Sequence, residues 1–298
     1  MKVLIIGKNG QLGQSIKKII SLGNIKDEYS FVGRSELDLG DSENITTYFN
    51  QNKFNIVINC VAYTAVDKAE SEHGLSNQVN HLAVKQIAEI VKQQGAKLIH
   101  ISTDYVFDGK NYKPYTEDDK TNPQNIYGST KLAGEKSIQE VMTTDATIIR
   151  TGWLYSEFGN NFVKTMLKLG FDNKEIKVIF DQIGTPTYAS DLAQAIIDII
   201  QSNQLQNKKQ LTQIFHYSNE GICSWYDFAK SIFDIEGIGC NIIPIEGKEW
   251  KMPAKRPYYA ALNKNKFKNT FDIEIPYWRD SLYVCLKIMF ENDVCRND

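Results

Sequence analysis

Lys2-Val-Leu-Ile-Ile-Gly-Lys-Asn-Gly-Gln-Leu-Gly13 is the stretch that decides the fold. Lys2 to Ile6 is an apolar run of strand length. Gly7, Gly10 and Gly13 follow at three-residue spacing, and a helix then runs to about Ile20. Glycines in a strand-to-helix turn let backbone N–H groups approach a pyrophosphate at the helix N-terminus. The spacing differs from the G-x-G-x-x-G form, and a plain strand-to-helix turn is the competing reading. The position after a first strand favours the phosphate turn.

Outward from that turn, strands and helices alternate. Tyr29 to Gly33 is a second strand, closed by Arg34. Asp41 or Ser42 caps a helix to about Asn52. Asn55 to Cys60 is a third strand, and a long helix is expected from about Ser71 to Gln94. Lys97 to Ile101 is the fourth strand. A polar loop from Thr103 to Pro123 is long enough to suggest function. A helix holding Tyr127 runs to about Met142, and Ala146 to Arg150 is the fifth strand. This alternation predicts an α/β fold, a doubly wound parallel Rossmann sheet with right-handed crossovers.

After Thr151 the pattern loosens into a smaller α+β lobe. Helices are expected at Asn161–Leu169, Ser190–Ile200, Ser224–Phe233 and about Tyr277–Phe290. Strands are expected at Ile176–Phe180, Ile214–Ser218 and Asn241–Ile245. The expected division is a dinucleotide-binding domain over residues 1–152. Residues 153–298 form mainly a substrate-binding lobe, with some segments returning to the first domain.

With 298 residues, 42% hydrophobic and 23% charged, the chain has the composition of a soluble globular protein. A net charge of -2 argues against nucleic-acid or membrane-surface partners held by bulk charge. The basic run Lys264-Asn-Lys-Phe-Lys268 reads as a solvated face. Cys60, Cys223, Cys240, Cys285 and Cys295 are scattered and odd in number, which fits reduced thiols in a cytoplasmic protein. No histidine or cysteine spacing suggests a metal, and His100 reads as a core residue of the fourth strand. The apolar start is too short for a signal peptide or a membrane span.

The chemistry is expected at Tyr127-Gly-Ser-Thr-Lys131. Four residues advance a helix by slightly more than one turn, so Tyr127 and Lys131 share a face. A phenol has a reference pKa of about 10. An ammonium group nearby lowers it, which suits proton exchange at a carbonyl or hydroxyl carbon. The same spacing recurs at Tyr226/Lys230 and Tyr283/Lys287. Only Tyr127/Lys131 follows a strand ending in Ser102-Thr103-Asp104 and shares its half of the chain with the glycine turn. Arg34 at the end of the second strand, with Lys8 in the turn, favours NADPH, with NADH as the alternative.

Together these segments resemble the extended short-chain dehydrogenase/reductases, and more narrowly the dTDP-4-dehydrorhamnose reductase family. The narrower likeness rests on Gly7–Gly13, Ala62–Glu70, Ser102–Phe107 and Tyr127–Glu135. Arg150–Trp153, Asn161-Phe162, Asp181–Thr187 and Arg256-Pro257 extend it. The resemblance implies reduction of the C4 ketone of a dTDP-linked 6-deoxyhexulose to dTDP-L-rhamnose. It implies Tyr127 as proton donor, Lys131 as the group that lowers its pKa and holds the nicotinamide ribose, and Thr103 near the reacting oxygen. Gln11, Leu12, Asp38, Leu39 and Ala62-Tyr63-Thr64 would line the cofactor. Asp104 and Trp153 would touch the nucleotide sugar, and Arg256 would meet its diphosphate. Packing at the lobe junction for Trp153, a surface ion pair for Arg256 and a strand end for Thr103 are the competing readings. Asp67, Lys68 and Glu70 read equally as a solvated helix entry. Some family members hold magnesium through a first-helix glutamate. Ser15 stands there, so magnesium is not expected. Tyr258-Tyr-Ala-Ala-Leu262 lacks the serine common before that leucine. Another nucleotide-linked ketosugar, an epimerase, a non-catalytic subunit and a homodimer stay open.

Overall fold

A computed structural model describes residues 1–23, 26–202, 205 and 210–294. Cys295 lies outside them. Five strands of the first half are β1 (Lys2–Ile6), β2 (Glu28–Val32), β3 (Ile56–Asn59), β4 (Lys97–Thr103) and β5 (Ala146–Thr151). The strand Gln213–His216 joins them on the far side of β5. The sheet order is Gln213–His216, β5, β4, β3, β1, β2, and every pairing is parallel. The order reverses at β1, between β2 and β3. Open parallel sheets bind ligands at such a switch point, beyond the carboxyl ends of the strands.

The intervening helices are α1 (Gln11–Leu22), α2 (Ser42–Gln51), α3 (Val66–Ala69), α4 (His73–Asn77), α5 (Ala83–Gln93) and α6 (Ile126–Val141). Alternate residues of a strand face opposite sides of the sheet. Val3 and Ile5 pack with Ile16, Leu192 and Ile196 on one side. Leu4 and Ile6 pack with Ile45, Ile87 and Ile138 on the other. Both faces are therefore covered, which explains why the strands read as unbroken apolar runs.

Of the later helices, α7 is Phe162–Asp172 and α8 is Ala189–Gln201. Helix α8 packs against α1. With Gln213–His216, it is a segment of the second half that completes the first sheet. The remaining lobe has its own core, which includes Tyr155, Val163, Phe228, Phe233, Trp278 and Leu282. Strands Glu175–Ile179 and Asn241–Ile245 pair in parallel there.

Two expectations need correction. The long helix after Ala69 is not uniform. It starts at His73, and a π turn at Gln78–Leu82 separates α4 from α5. The wider turn carries buried Asn80, whose Oδ1 accepts from Tyr63 N at 2.8 Å and whose Nδ2 donates to Tyr63 O at 3.2 Å. Extra-residue turns of this kind recur near functional sites. The run Lys264–Lys268 is not a simple solvated face. It begins a short helix, Asn265–Phe271, with Phe267 fully buried. Lys264 and Lys268 both pair with Glu220, at 3.3 and 2.7 Å. The loop after Thr103 is also partly ordered. It holds a 3-10 turn at Asp104–Val106, and Tyr115 stacks on Phe107 with centroids 4.2 Å apart.

Among the described residues, Cys60, Cys223, Cys240 and Cys285 are free thiols. No described helix is long and apolar enough to cross a membrane.

Candidate active site

A cleft of about 650 Å³ opens beyond the carboxyl ends of β1, β3, β4 and β5. Its first wall is the glycine turn. Gly7 has φ +107°. A Cβ on Gly13 would stand 2.2 Å from the Gly7 carbonyl oxygen, so any side chain there would push the turn open. Gly10 is the N-cap of α1 and has no side chain to satisfy the first amides. Those N–H groups are left for an anion. Turn and helix start thus fit a dinucleotide pyrophosphate.

The second wall is α6. Its first turn is fixed from two sides. Asn125 Oδ1 accepts from Gly128 N at 2.8 Å, and Glu70 Oε1 accepts from Ile126 N at 2.8 Å. Gly128 lies so near the 3-10 turn that a Cβ would be 2.2 Å from the Tyr105 carbonyl oxygen. This close approach sets Tyr127 beside Thr103 and Tyr105. The Tyr105 and Tyr127 rings meet edge-on at 5.5 Å.

Lys131 lies one turn on and is 1% exposed. Its Nζ donates to Ile101 O at 2.6 Å and lies 3.2 Å from His100 Nε2. Burial lowers its pKa to about 8, against the opposing charge of Glu135. His100 is buried, as expected, and burial beside that ammonium holds it well below its ordinary value.

The phenol departs from the simple expectation. Burial pushes Tyr127 up to about 12, with the Thr103 hydroxyl pulling down and the Asp104 charge pushing up. The ammonium one turn away does not lower it here, because Lys131 reaches the β4 backbone instead. Tyr127 therefore carries its proton at neutral pH, the state a proton donor needs.

Thr103 and Asp104 form the floor. Thr103 Oγ1 donates to Asp104 Oδ1 at 3.0 Å, and Tyr105 N donates to Thr103 Oγ1 at 3.2 Å. Asp104 is 3% exposed. Burial raises its carboxyl to about 7, against these hydrogen bonds.

The third wall comes from the second lobe. Trp153 has φ +50° and stacks on Trp225, centroids 3.4 Å apart and planes within 8°. Gln11 ties this wall to the glycine turn. Its Nε2 donates to Leu154 O at 3.2 Å, and its Oε1 accepts from Ser156 Oγ and Asn161 Nδ2, both at 3.0 Å.

Gly7, Gly10, Gln11, Leu12, Gly13, Ala62, Thr64, Thr103, Asp104, Tyr127, Lys131 and Trp153 all line this one cleft. The other expected residues lie outside this lining, Arg256 just beyond Tyr105. Arg34 is an exposed side chain paired with Asp38 at 3.0 Å. Lys8 pairs with Glu36 at 2.5 Å, a bond that holds the Glu36 carboxyl down at about 2. Leu39 is buried in the core. Tyr63 donates its hydroxyl to Glu72 Oε2 at 2.6 Å. Arg256 is paired with Asp67. The other two tyrosine–lysine spacings are surface features: Lys230 pairs with Asp234 and Lys287 with Glu291.

Trp225 and Tyr105 also line the cleft, without a signal in the sequence. Trp225 follows a serine N-cap far along the chain and carries no local signal. Tyr105 sits within Ser102–Phe107, but nothing in its spacing sets it apart. Among the described residues no cluster of His, Cys, Asp or Glu could hold a metal ion. Ser15 is buried, and its hydroxyl donates to Gln11 O at 2.9 Å.

Sheet, turn and helix together put the protein in the short-chain dehydrogenase/reductase class. The family model described as RmlD substrate binding domain matches residues 1–290. The chain is 38% identical to a dTDP-4-dehydrorhamnose reductase of Sinorhizobium fredii, over 94% of this chain and 95% of that protein. A dTDP-4-dehydrorhamnose reductase from Clostridium acetobutylicum superposes with a TM-score of 0.90 at 41% identity, covering 97% of this chain and 99% of that one. A dTDP-4-dehydrorhamnose reductase from Bacillus anthracis, solved in complex with NADP, superposes with a TM-score of 0.88 at 36% identity, covering 96% and 98%. The chain belongs to the dTDP-4-dehydrorhamnose reductase family.

Proposed function

We propose that this protein reduces the C4 ketone of dTDP-4-dehydrorhamnose to the alcohol of dTDP-L-rhamnose. NADPH, when bound, supplies the hydride. The observation that carries the proposal is the meeting of Tyr127, Thr103 and the glycine turn in one cleft. The Gly7–Gly13 backbone and the start of α1 hold the pyrophosphate. Lys131 holds the nicotinamide ribose. Arg34 stands at the adenosine end. Its exposed pair with Asp38 is weak, so the guanidinium can turn to a 2′-phosphate.

Tyr127 gives its proton to the carbonyl oxygen as charge develops there. Its raised pKa keeps that proton in place until then. Thr103 lies at the same oxygen, and its hydroxyl proton, held by Asp104 in the free enzyme, turns to that oxygen when the ketone is bound. Trp153, braced by Trp225, packs against the sugar. Free thiols suit a reducing compartment such as the cytoplasm.

Incubating the protein with NADPH and dTDP-, UDP-, GDP- or CDP-linked 4-ketosugars tests the reading. Stoichiometric NADPH loss is expected with the dTDP-linked 6-deoxy sugar. Loss only with another nucleotide, or turnover without loss, would contradict it.

A further inference from the structure

Beneath Lys131 lies a histidine that packing alone does not explain. His100 sits on β4, three residues before Thr103, and is fully buried. Its Nε2 stands 3.2 Å from Lys131 Nζ, and its Nδ1 has no hydrogen-bond partner among the described residues. A buried imidazole left half-satisfied costs more than an apolar side chain of the same size. What a ring nitrogen adds at this position is its contact with the ammonium.

The donors set the direction of that contact. An ammonium has three N–H donors and no acceptor, so Nε2 is assigned as the acceptor and the ring proton to Nδ1. Burial beside the ammonium keeps the ring neutral, in agreement with that tautomer. Lys131 donates a second N–H to Ile101 O at 2.6 Å, on the same strand. Two acceptors, one from the backbone and one from the ring, fix the rotation of the head group. The third N–H is left for the cleft, which Lys131 lines. Turning it away would break a charge-assisted hydrogen bond in a dry site, where such bonds are strong.

We propose that His100 is a positioning residue, whose Nε2 holds the Lys131 ammonium so that its remaining N–H points at the nicotinamide ribose. The proposal rests on Lys131 holding that ribose, as in the reductase reading above. His100→Phe keeps a flat ring but presents a positive C–H edge in place of the acceptor. His100→Gln supplies an amide oxygen as a substitute acceptor.

The affinity of the full-length protein for NADPH is measured by fluorescence, and for 2′,5′-ADP by calorimetry, at a single pH and without nucleotide sugar. The second probe keeps the adenosine end of the cofactor and lacks the nicotinamide riboside. His100→Phe is expected to weaken NADPH binding at least about tenfold, the scale of one lost hydrogen bond to a charged group. His100→Gln is expected to stay within about threefold of the unaltered protein, because an acceptor is restored. Affinity for 2′,5′-ADP is expected to change by less than about twofold in both variants, being remote from the contact. In a Lys131→Met background, which itself weakens NADPH binding, His100→Phe is expected to add less than about twofold, since the group it positions is gone. Should His100→Phe not fold, His100→Leu takes its place with the same expectations.

Equal losses in His100→Phe and His100→Gln, a loss that extends to 2′,5′-ADP, or losses that simply add to that of Lys131→Met would make His100 a packing residue and overturn the proposal. NADPH affinity unchanged in Lys131→Met would overturn it as well, by removing Lys131 from the ribose. Failure of the reductase reading shows separately, as absence of NADPH consumption when the unaltered protein meets the ketosugar.

Discussion

Asp67 grips Arg256 through both carboxylate oxygens, Oδ1 to Nη1 at 3.1 Å and Oδ2 to Nη2 at 2.7 Å. The same Oδ1 accepts from Ala254 N at 3.1 Å. One carboxylate on α3 thus anchors the segment 254–256. Asn125, the N-cap of α6, reinforces the tie by donating Nδ2 to Lys255 O at 2.8 Å. Arg256, expected at the substrate diphosphate, lies beside the cleft residue Tyr105 and fastens a late loop to the entry of the Tyr127 helix. Asp67 and Glu70, which read equally as a solvated helix entry, both serve that entry.

The pair is two-pronged but partly exposed, so its worth is modest. A double-mutant cycle of Asp67→Ala and Arg256→Ala, read by urea unfolding, is expected to give a coupling of about 0.5–1 kcal/mol. Strictly additive losses would show that the two side chains hold nothing together.

The glycine turn gives a sharper prediction. In Gly13→Ala the new methyl would meet the Gly7 backbone, which cannot yield without moving the pyrophosphate cradle. Overpacking of this sort costs about 1–3 kcal/mol. NADPH affinity by fluorescence titration is expected to fall at least about tenfold, since about 1.4 kcal/mol is a factor of ten. Unchanged affinity would remove the turn from cofactor binding.

Asp104 predicts a pH dependence of stability. Its folded pKa of about 7 lies above the ordinary carboxylate value. Below about pH 4 both folded and unfolded forms carry the proton and nothing is lost. As pH rises the unfolded form ionises first, so the group destabilises the fold increasingly up to about 7, by a few kcal/mol. Asp104→Asn is therefore expected to raise Tm more at pH 8 than at pH 5, relative to the unaltered protein. An equal change at both values would show that the carboxyl is not strained by burial.

Much of this was legible in the residues, for physical reasons. Strands buried on both faces read as apolar runs, so β1 to β5 were visible with ends off by one or two residues. Gly7 and Gly13 announced a turn because its left-handed backbone and close approach require glycine. What spacing hides is where a long side chain ends. Tyr127 and Lys131 share a helix face, yet the ammonium goes to Ile101 O and leaves the phenol high. Arg256 and Asp67 lie 189 positions apart, beyond any local pattern. The π turn at Gln78–Leu82 adds a residue without breaking the apolar periodicity, so one long helix was the natural reading. Trp225 reaches the cleft only because the second lobe folds back onto it.

The most direct measurement is turnover of Tyr127→Phe with NADPH and dTDP-4-dehydrorhamnose, alongside NADPH affinity in the same variant. Loss of the phenol proton is expected to lower kcat by about two to four orders of magnitude while affinity stays near that of the unaltered protein. Near-normal kcat would contradict the account, because the proton would then come from another group.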